Sequence, residues 1–450
     1  MATILLHPAF ILLYILVAWG VAMYLLWKKK TLEGSPFLVQ GPFLLWRTEK
    51  GKKFIDRLSK PKRFWKVYGD LSIAITFVVM FTFLIILIWV AFLVMQIPEE
   101  RVPSPQMIIG IPGLNPIIPI WYGILALVVA LVVHEFTHGI LTRVAKSRIV
   151  SLGLVFLVVP MGAFVEPDEE ELKVMEKRKR SRMFASGPTT NLIVALVCSL
   201  VFTSVFIANA EPKALGNGII GVVGNSPAHN ASLSPGAIIT SIEHNGTDYP
   251  IDHSSAFKDL MESTLPGDNV TLTLYHDGQV TQQDITLSSA NRSDGEEIGY
   301  LGVYSIYTGT GKQLYTPTFY PESLEATMYS LIIYVSLPIR ALSPIDEPYT
   351  DFYGPAGPLA GVPESAFWIL ANSFYWVFWL NLMLGLTNAL PARPLDGGYV
   401  FSDGLDTFLE KTRPNMQAER REKIVKRVSY FLSFLILGLI LWQLIGPRVF

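Results

Sequence analysis

His134 and His138 stand four residues apart with Glu135 between them, in the run His134-Glu135-Phe136-Thr137-His138. On a helix, positions four apart share a face, so the two imidazoles can offer nitrogens to one metal ion. Glu135 is then placed to act as general base toward a water beside that metal. The chemistry such a group performs is hydrolysis. Its setting is unusual: from Ile117 to Ile140 the two histidines and the glutamate are the only charged or basic side chains. Ionisable groups in a spanning helix cost a few kcal/mol each, on the order of ~3, and mark functional sites.

The elements that must position these residues are membrane elements. Of 450 residues, 51% are hydrophobic and only 16% charged, and the mean hydropathy is +0.40. Six stretches reach the length needed to span a bilayer: Leu5–Trp27, Ser72–Gln96, Ile117–Ile140, Pro188–Ala210, Ala366–Ala389 and Val428–Ile445. The first lacks a basic leader and is followed by Lys28-Lys29-Lys30, which predicts a retained anchor. The single cysteine, Cys198, excludes an intramolecular disulfide and a cysteine-based zinc site. The net charge of -1 gives no support to a nucleic-acid partner. The basic runs at Lys177–Arg180 and Arg420-Arg421 adjoin apolar spans and read as topology signals and lipid contacts.

Lysine and arginine set an expected orientation. Segments 28–71, 141–187 and 390–427 hold 12, 9 and 8 of the chain's 36. These are alternate loops of a six-helix path, so they are expected on the cytoplasmic side. Asn230-Ala-Ser232, Asn245-Gly-Thr247, Asn269-Val-Thr271 and Asn291-Arg-Ser293 are glycosylation acceptor patterns. All four fall in region 211–365, which the charge count places outside.

This topology puts His134 and His138 in the cytoplasmic half of their helix. The fifth span also runs inward and ends near Asn388, where the chain reads Asn388-Ala-Leu-Pro391-Ala-Arg393-Pro394-Leu395-Asp396-Gly397-Gly398. The prolines interrupt the helix and the glycines permit a turn, so Asp396 is expected on irregular backbone at the depth of the histidines. Two histidines and a carboxylate with a fourth position open are the ligand set of a catalytic zinc, one ion per chain. Two other readings of these polar residues are a proton or ion carrier and a silent scaffold that binds membrane proteins without cutting them.

The chain resembles the site-2 protease family of intramembrane zinc metalloproteases. The resemblance rests on HExxH in one span and N-x-x-P-x-x-x-L-D-G in a later one, matched by Asn388, Pro391, Leu395, Asp396 and Gly397. A third mark, G-P-x-x-N, reads Gly187-Pro188-Thr189-Thr190-Asn191 and is expected to open the next helix. The resemblance implies that His134, His138 and Asp396 bind zinc and that Glu135 is the catalytic acid and base. Asn388 would steady the substrate or the tetrahedral intermediate. It implies membrane-protein substrates with a transmembrane segment, cleaved in or near that segment in regulated intramembrane proteolysis. The expected setting is the plasma membrane of a prokaryote, with the zinc placed toward the cytoplasm by the charge count.

Between the third and fourth spans, Val150–Val165 is rich in β-branched residues, which predicts strands. The family places a re-entrant β-hairpin here, and its strand edge could pair with an unwound substrate. Gly162 is followed by Ala163 where the family often has two glycines in this loop. In the insert, β-rich runs at Ile219–Val223, Ile238–Ile242, Val270–Leu274 and Gln283–Leu287 surround one short helix, Ser255–Ser263. The turns Ser226-Pro227-Ala228 and Leu233-Ser234-Pro235-Gly236 resemble those of a PDZ domain, with Ala237 where an aspartate is common. Helical spacing predicts an amphipathic helix over Glu322–Ala341.

The expected fold is therefore a polytopic α-helical membrane protein with about six transmembrane helices, a re-entrant β-hairpin and an extracytoplasmic β-rich PDZ-like domain. Its order is two N-terminal helices with a basic loop (1–115) and a first core half (116–210). A PDZ-like domain (211–310) and a connector (311–365) follow. The second core half (366–400) precedes a basic segment with a last helix (401–450).

Overall fold

The computed structural model describes residues 8–29, 32, 34–96, 107, 112, 115–291, 295–318, 320–338 and 345–449. The chain divides into two compact units, Met1–Val197 with Trp376–Phe450, and Cys198–Tyr375.

The first unit is built on long apolar helices, two of which run on into the second unit. In chain order these are α1 (Pro8–Lys29), a short α2 (Lys52–Leu58), α3 (Lys62–Leu93) and α4 (Ile120–Val144). The short α5 (Glu169–Val174) is followed by α6 (Lys177–Val201), α7 (Glu364–Asn388), α8 (Asp396–Thr412) and α9 (Ala418–Val449). Five helices among the described residues are long and apolar enough to cross a membrane: α3, α4, α6 with its continuation to Asn209, α7 and α9. Of the expected span Leu5–Trp27, residues 5–7 lie outside the described residues, and α1 covers the remainder. On α3, Val67, Val78, Ile85 and Phe92 all stand more than 60% exposed, an apolar outer face suited to lipid rather than water.

Several helices run past the apolar stretches that reveal them. α3 begins at Lys62 and α6 at Lys177, each roughly ten residues before its apolar part. The G-P-x-x-N pattern therefore lies inside α6, with Pro188 in the helix interior, and does not open a helix as expected.

Four antiparallel strands form the sheet of this unit: β1 (Phe37–Gln40), β2 (Phe43–Thr48), β3 (Ile149–Leu157) and β4 (Val159–Pro167), paired in that order. The expected hairpin is β3–β4, and it is not alone, since Leu44–Thr48 of β2 pairs with Leu152–Phe156 of β3. The segment read only as a basic loop thus supplies half a sheet. The hairpin turns at Val158, whose φ is 67°, and Gly162 is a ladder residue opposite Val155. Among the described residues β4 pairs with no second strand, so one edge of it is open. Ile55, Ile140, Leu141, Val144, Ile149, Leu152 and Met183 pack together where α2, α4, the sheet and α6 meet.

The second unit holds β5 (Ala210–Pro212), β6 (Asn217–Val222), β7 (Ile238–His244), β8 (Thr247–Pro250), β9 (Asn269–His276) and β10 (Gln279–Thr286). It continues with β11 (Ser288–Asn291), β12 (Glu297–Tyr300), β13 (Val303–Tyr307) and β14 (Tyr353–Pro355). The main sheet runs β10-β9-β7-β6-β13 with β8 beside β7, while β11–β12 and β5–β14 form small pairs. All four expected strand runs fall in this sheet, and the expected helix is Ala256–Ser263. Alternate residues such as Ile219, Ile239, Ile242, Leu272 and Ile285 fill its core. The expected amphipathic stretch forms the helix Leu324–Ser336, capped by Ser323, with residues 339–341 outside the described residues. Asn230, Asn245 and Asn269 are exposed; residues 292–293 of the fourth acceptor pattern lie outside the described residues.

Candidate active site

α4 presents His134 and His138 one turn apart, with ring centroids 4.7 Å from each other and planes at 83°. Each ring is held through Nδ1. The Nδ1–H of His138 donates to the backbone carbonyl of Met183 on α6, at 2.7 Å. His134 Nδ1 lies 3.3 Å from the side-chain amide of Asn191, also on α6. Partners of this kind fix the tautomer and leave Nε2 as the free lone pair.

Both Nε2 atoms face the same carboxylate oxygen. Asp396 Oδ2 lies 2.9 Å from Nε2 of His134 and 3.2 Å from Nε2 of His138. Asp396 was expected on irregular backbone; it is instead the first residue of α8, after the interruption at Pro391 and Pro394. Gly397 makes that start possible. A Cβ there would lie 2.1 Å from the Ala389 carbonyl oxygen, so only glycine lets α8 begin against the end of α7. Farther along α8, the buried Asp403 accepts hydrogen bonds from Arg180 and from Ser181 of α6. One helix therefore holds both histidines and the helix that carries the aspartate.

The donor set fits a zinc ion. The three ligand atoms lie within 4.8 Å of one another, and two imidazole nitrogens with one carboxylate oxygen are a zinc-type ligand set. Asn191 adds a second sign. With its amide nitrogen toward His134, its Oδ1 is buried without a hydrogen-bond partner. A half-turn of the amide makes Oδ1 the acceptor for His134 Nδ1–H, the state a metal-ligating histidine requires. Room is the third. Gly187 passes so close that a Cβ would lie 2.5 Å from His138 Nε2 and 2.7 Å from His134 Nε2.

Glu135 points from α4 toward the sheet, where its Oε2 accepts the backbone N–H of Val165 on β4 at 3.0 Å. It lines a cavity of about 380 Å³ together with His134, His138, Asp396 and, from the last turns of α7, Leu384 and Asn388. All five residues given a role in the sequence meet at this cavity. Met183 and the Val165 amide were not singled out, and both act through backbone atoms that any residue carries. Gly187 and Asn191 stood in a matched pattern with no role attached, and Gly187 acts through a side chain it lacks.

Several known proteins are similar to this chain. An uncharacterized protein of Methanocaldococcus jannaschii is 26% identical over 90% of this chain and 91% of its own length. The zinc metalloprotease RasP of Oceanobacillus iheyensis is 22% identical over 62% of each chain. RasP of Shouchella clausii is 22% identical over 59% of each. The solved PDZ domain of an SdrC-like protein from Listeria monocytogenes is similar over 20% of this chain and 86% of its own, at 28% identity and a TM-score of 0.17. The model of peptidase family M50 matches residues 122–436, a stretch that begins at the head of α4 and takes in both halves of the His–His–Asp cluster. The chain belongs to peptidase family M50, the site-2 protease type of membrane metalloprotease.

Proposed function

We infer that this chain hydrolyses peptide bonds in or near the transmembrane segments of membrane proteins, with one zinc ion held by His134, His138 and Asp396. The observation that carries the reading is the convergence of both Nε2 atoms on Asp396 Oδ2, with Glu135 lining the same cavity. Zinc, when bound, supplies Lewis acidity that makes water easier to deprotonate and a carbonyl easier to attack. Glu135 is held through Oε2 by the Val165 amide, leaving Oε1 to take the proton from the attacking water. The water oxygen bonds to the scissile carbonyl carbon, the C–N bond breaks, and Glu135 returns the proton to the leaving nitrogen. The Asn388 amide donates to the substrate oxygen as it gains charge.

A helical substrate must unwind first, because its carbonyls are bonded within its own helix. Apart from the Val165 N–H, which Glu135 holds, the edge of β4 that no described strand covers offers replacement backbone partners. Substrates with Pro or Gly near the cut are therefore expected to be preferred. The charge distribution supports a six-helix path with the zinc site toward the cytoplasm of a prokaryotic cell, and region 211–365 outside. Within it, residues 211–310 act as a PDZ-like domain that screens substrates, as in regulated intramembrane proteolysis.

The test compares wild type with Glu135→Gln on a membrane-spanning substrate in detergent, with zinc quantified in both. The expected result is one zinc per chain in each and a loss of cleavage of about 10³-fold or more in the variant. Equal cleavage by both proteins removes Glu135 as the base. A chain that holds no stoichiometric zinc is not a metalloprotease.

A further inference from the structure

A second cavity, of about 430 Å³, lies in the first unit where the link between α2 and α3 meets the end of α4. Its lining is unlike that of the candidate active site: five of its side chains are cationic and only one, Asp56, is acidic. Asp56 is already matched by Arg143 at 2.8 Å. Arg148 pairs with Asp168 at 2.9 Å and with Glu171 at 2.6 Å. Lys60, Lys62 and Lys146 have no ion-pair partner among the described residues. Three positive charges thus surround a cavity whose only acid is spent on a fourth.

The side chains of Lys60, Lys62 and Lys146 are exposed, but the backbone that carries them is fixed. On one side Ser59 N–H donates to Ile55 O at 2.8 Å, and the Trp65 indole donates to Leu58 O at 2.7 Å. On the other, α4 ends with Lys146 N–H on Arg143 O and Ser147 N–H on Thr142 O, both 3.0 Å. Lys146 itself is left-handed, with φ 70°, which turns the chain back across the helix end. Lysines that repel one another around a pre-shaped space are stabilised by an anion placed between them.

The position identifies the source of that anion. Lys62 opens α3 and Arg143 lies in the last turn of α4, and both helices are long and apolar enough to span a membrane. Within two turns of Lys62, Phe64 and Val67 stand largely exposed, and Trp65 and Tyr68 are half-buried. Cations followed at once by aromatic and apolar surface are the signature of the headgroup layer. Basic pockets between spanning helices at this level take phosphate headgroups. We propose that this cavity binds the phosphate of an anionic lipid headgroup, clamping the α2–α3 link to the end of the helix that carries His134 and His138. The clamp lies close to the histidines: a Cβ on Gly139 would lie 2.9 Å from Ile55 of α2.

The test titrates short-chain phosphatidylglycerol, short-chain phosphatidylcholine and inorganic phosphate into the full-length protein in neutral detergent, with bound molecules counted by native mass spectrometry. Wild type is expected to prefer phosphatidylglycerol over phosphatidylcholine by about tenfold or more. The triple variant K60Q/K62Q/K146Q is expected to lose that preference, while K60R/K62R/K146R keeps it. The triple K411Q/K423Q/K426Q, which removes the same charge from exposed faces of α8 and α9, is expected to keep it as well. Absence of a preference in wild type overturns the proposal. So does an equal loss in the K411Q/K423Q/K426Q control, which would make the effect one of net charge. Inorganic phosphate binding as tightly as the lipid overturns the assignment to a headgroup.

Discussion

Replacing Gly187 by alanine adds a single methyl group to α6, and it is expected to cost the protein its zinc. The new carbon would sit 2.5 Å from His138 Nε2, 2.7 Å from His134 Nε2 and 2.8 Å from His134 Cε1. Ordinary contact begins near 3.4 Å, so the rings must retreat by about 0.9 and 0.7 Å or the helix must shift. Neither ring is free to go. His138 is tied by Nδ1 to the Met183 carbonyl, and His134 lies against Asn191, both on the helix that carries the intruding methyl. Metal ligands tolerate displacements of only about 0.2 Å. Loss of a single outer partner weakens metal affinity about 10- to 100-fold, and displacing two ligands together should exceed that. Zinc affinity measured by competition with a chelator is therefore expected to fall at least ~100-fold in Gly187→Ala. Gly438→Ala, where a Cβ meets nothing within 4 Å, serves as the control and is expected to bind zinc as wild type does. Wild-type affinity in the Gly187 variant, with unchanged helix content, would refute the reasoning.

Asn191→Ala removes the partner of His134 Nδ1 and is expected to weaken zinc binding about 10- to 100-fold in the same chelator assay, with Asn191→Asp retaining part of the affinity. Arg180→Met leaves the buried Asp403 carboxylate with Ser181 alone. It is expected to destabilise the protein by about 3 kcal/mol in a detergent unfolding experiment, and Arg180→Met with Asp403→Leu should recover most of that loss. Partial burial works to raise the Asp406 carboxyl, but hydrogen bonds from Lys177 and Arg421 outweigh it and hold its pKa below the usual carboxylate range. A depressed folded pKa means that the stability from this cluster is complete above about pH 4 and is lost as the pH falls through the folded value. Asp406→Asn should therefore be less stable than wild type at neutral pH and converge with it in acid, as read from melting temperatures across the pH series.

The members of the His–His–Asp cluster were legible because each rests on a local rule. Four-residue spacing on a helix aligns His134 with His138, and the prolines before Asp396 announce a break. The charge asymmetry between loops put both halves at one depth, without any contact being known. What escaped notice rests on pairing between distant segments. Phe37–Gln40 and Phe43–Thr48 are short, lie in a strongly basic stretch, and become strands only because β3 is there to receive β2. Hydropathy finds the part of a helix that meets lipid, so the charged first turns of α3, α6 and α9 were invisible to it. The same holds for α8, whose first residue was expected on irregular backbone. Its amphipathic sequence resembles an ordinary surface segment until Gly397 and Asp403 are seen to fasten it.

His138 and Asp396 are 258 residues apart in the chain. A ribosome adding roughly 5–20 residues per second needs on the order of ten to fifty seconds to travel between them. For that interval the nascent polypeptide owns two imidazoles and a glutamate but lacks the carboxylate that completes the cluster. Cleavage of the kind proposed would therefore have to wait for Asp396, long after the two histidines have been made. A cluster divided in this way is completed only when the later segment folds against the earlier one.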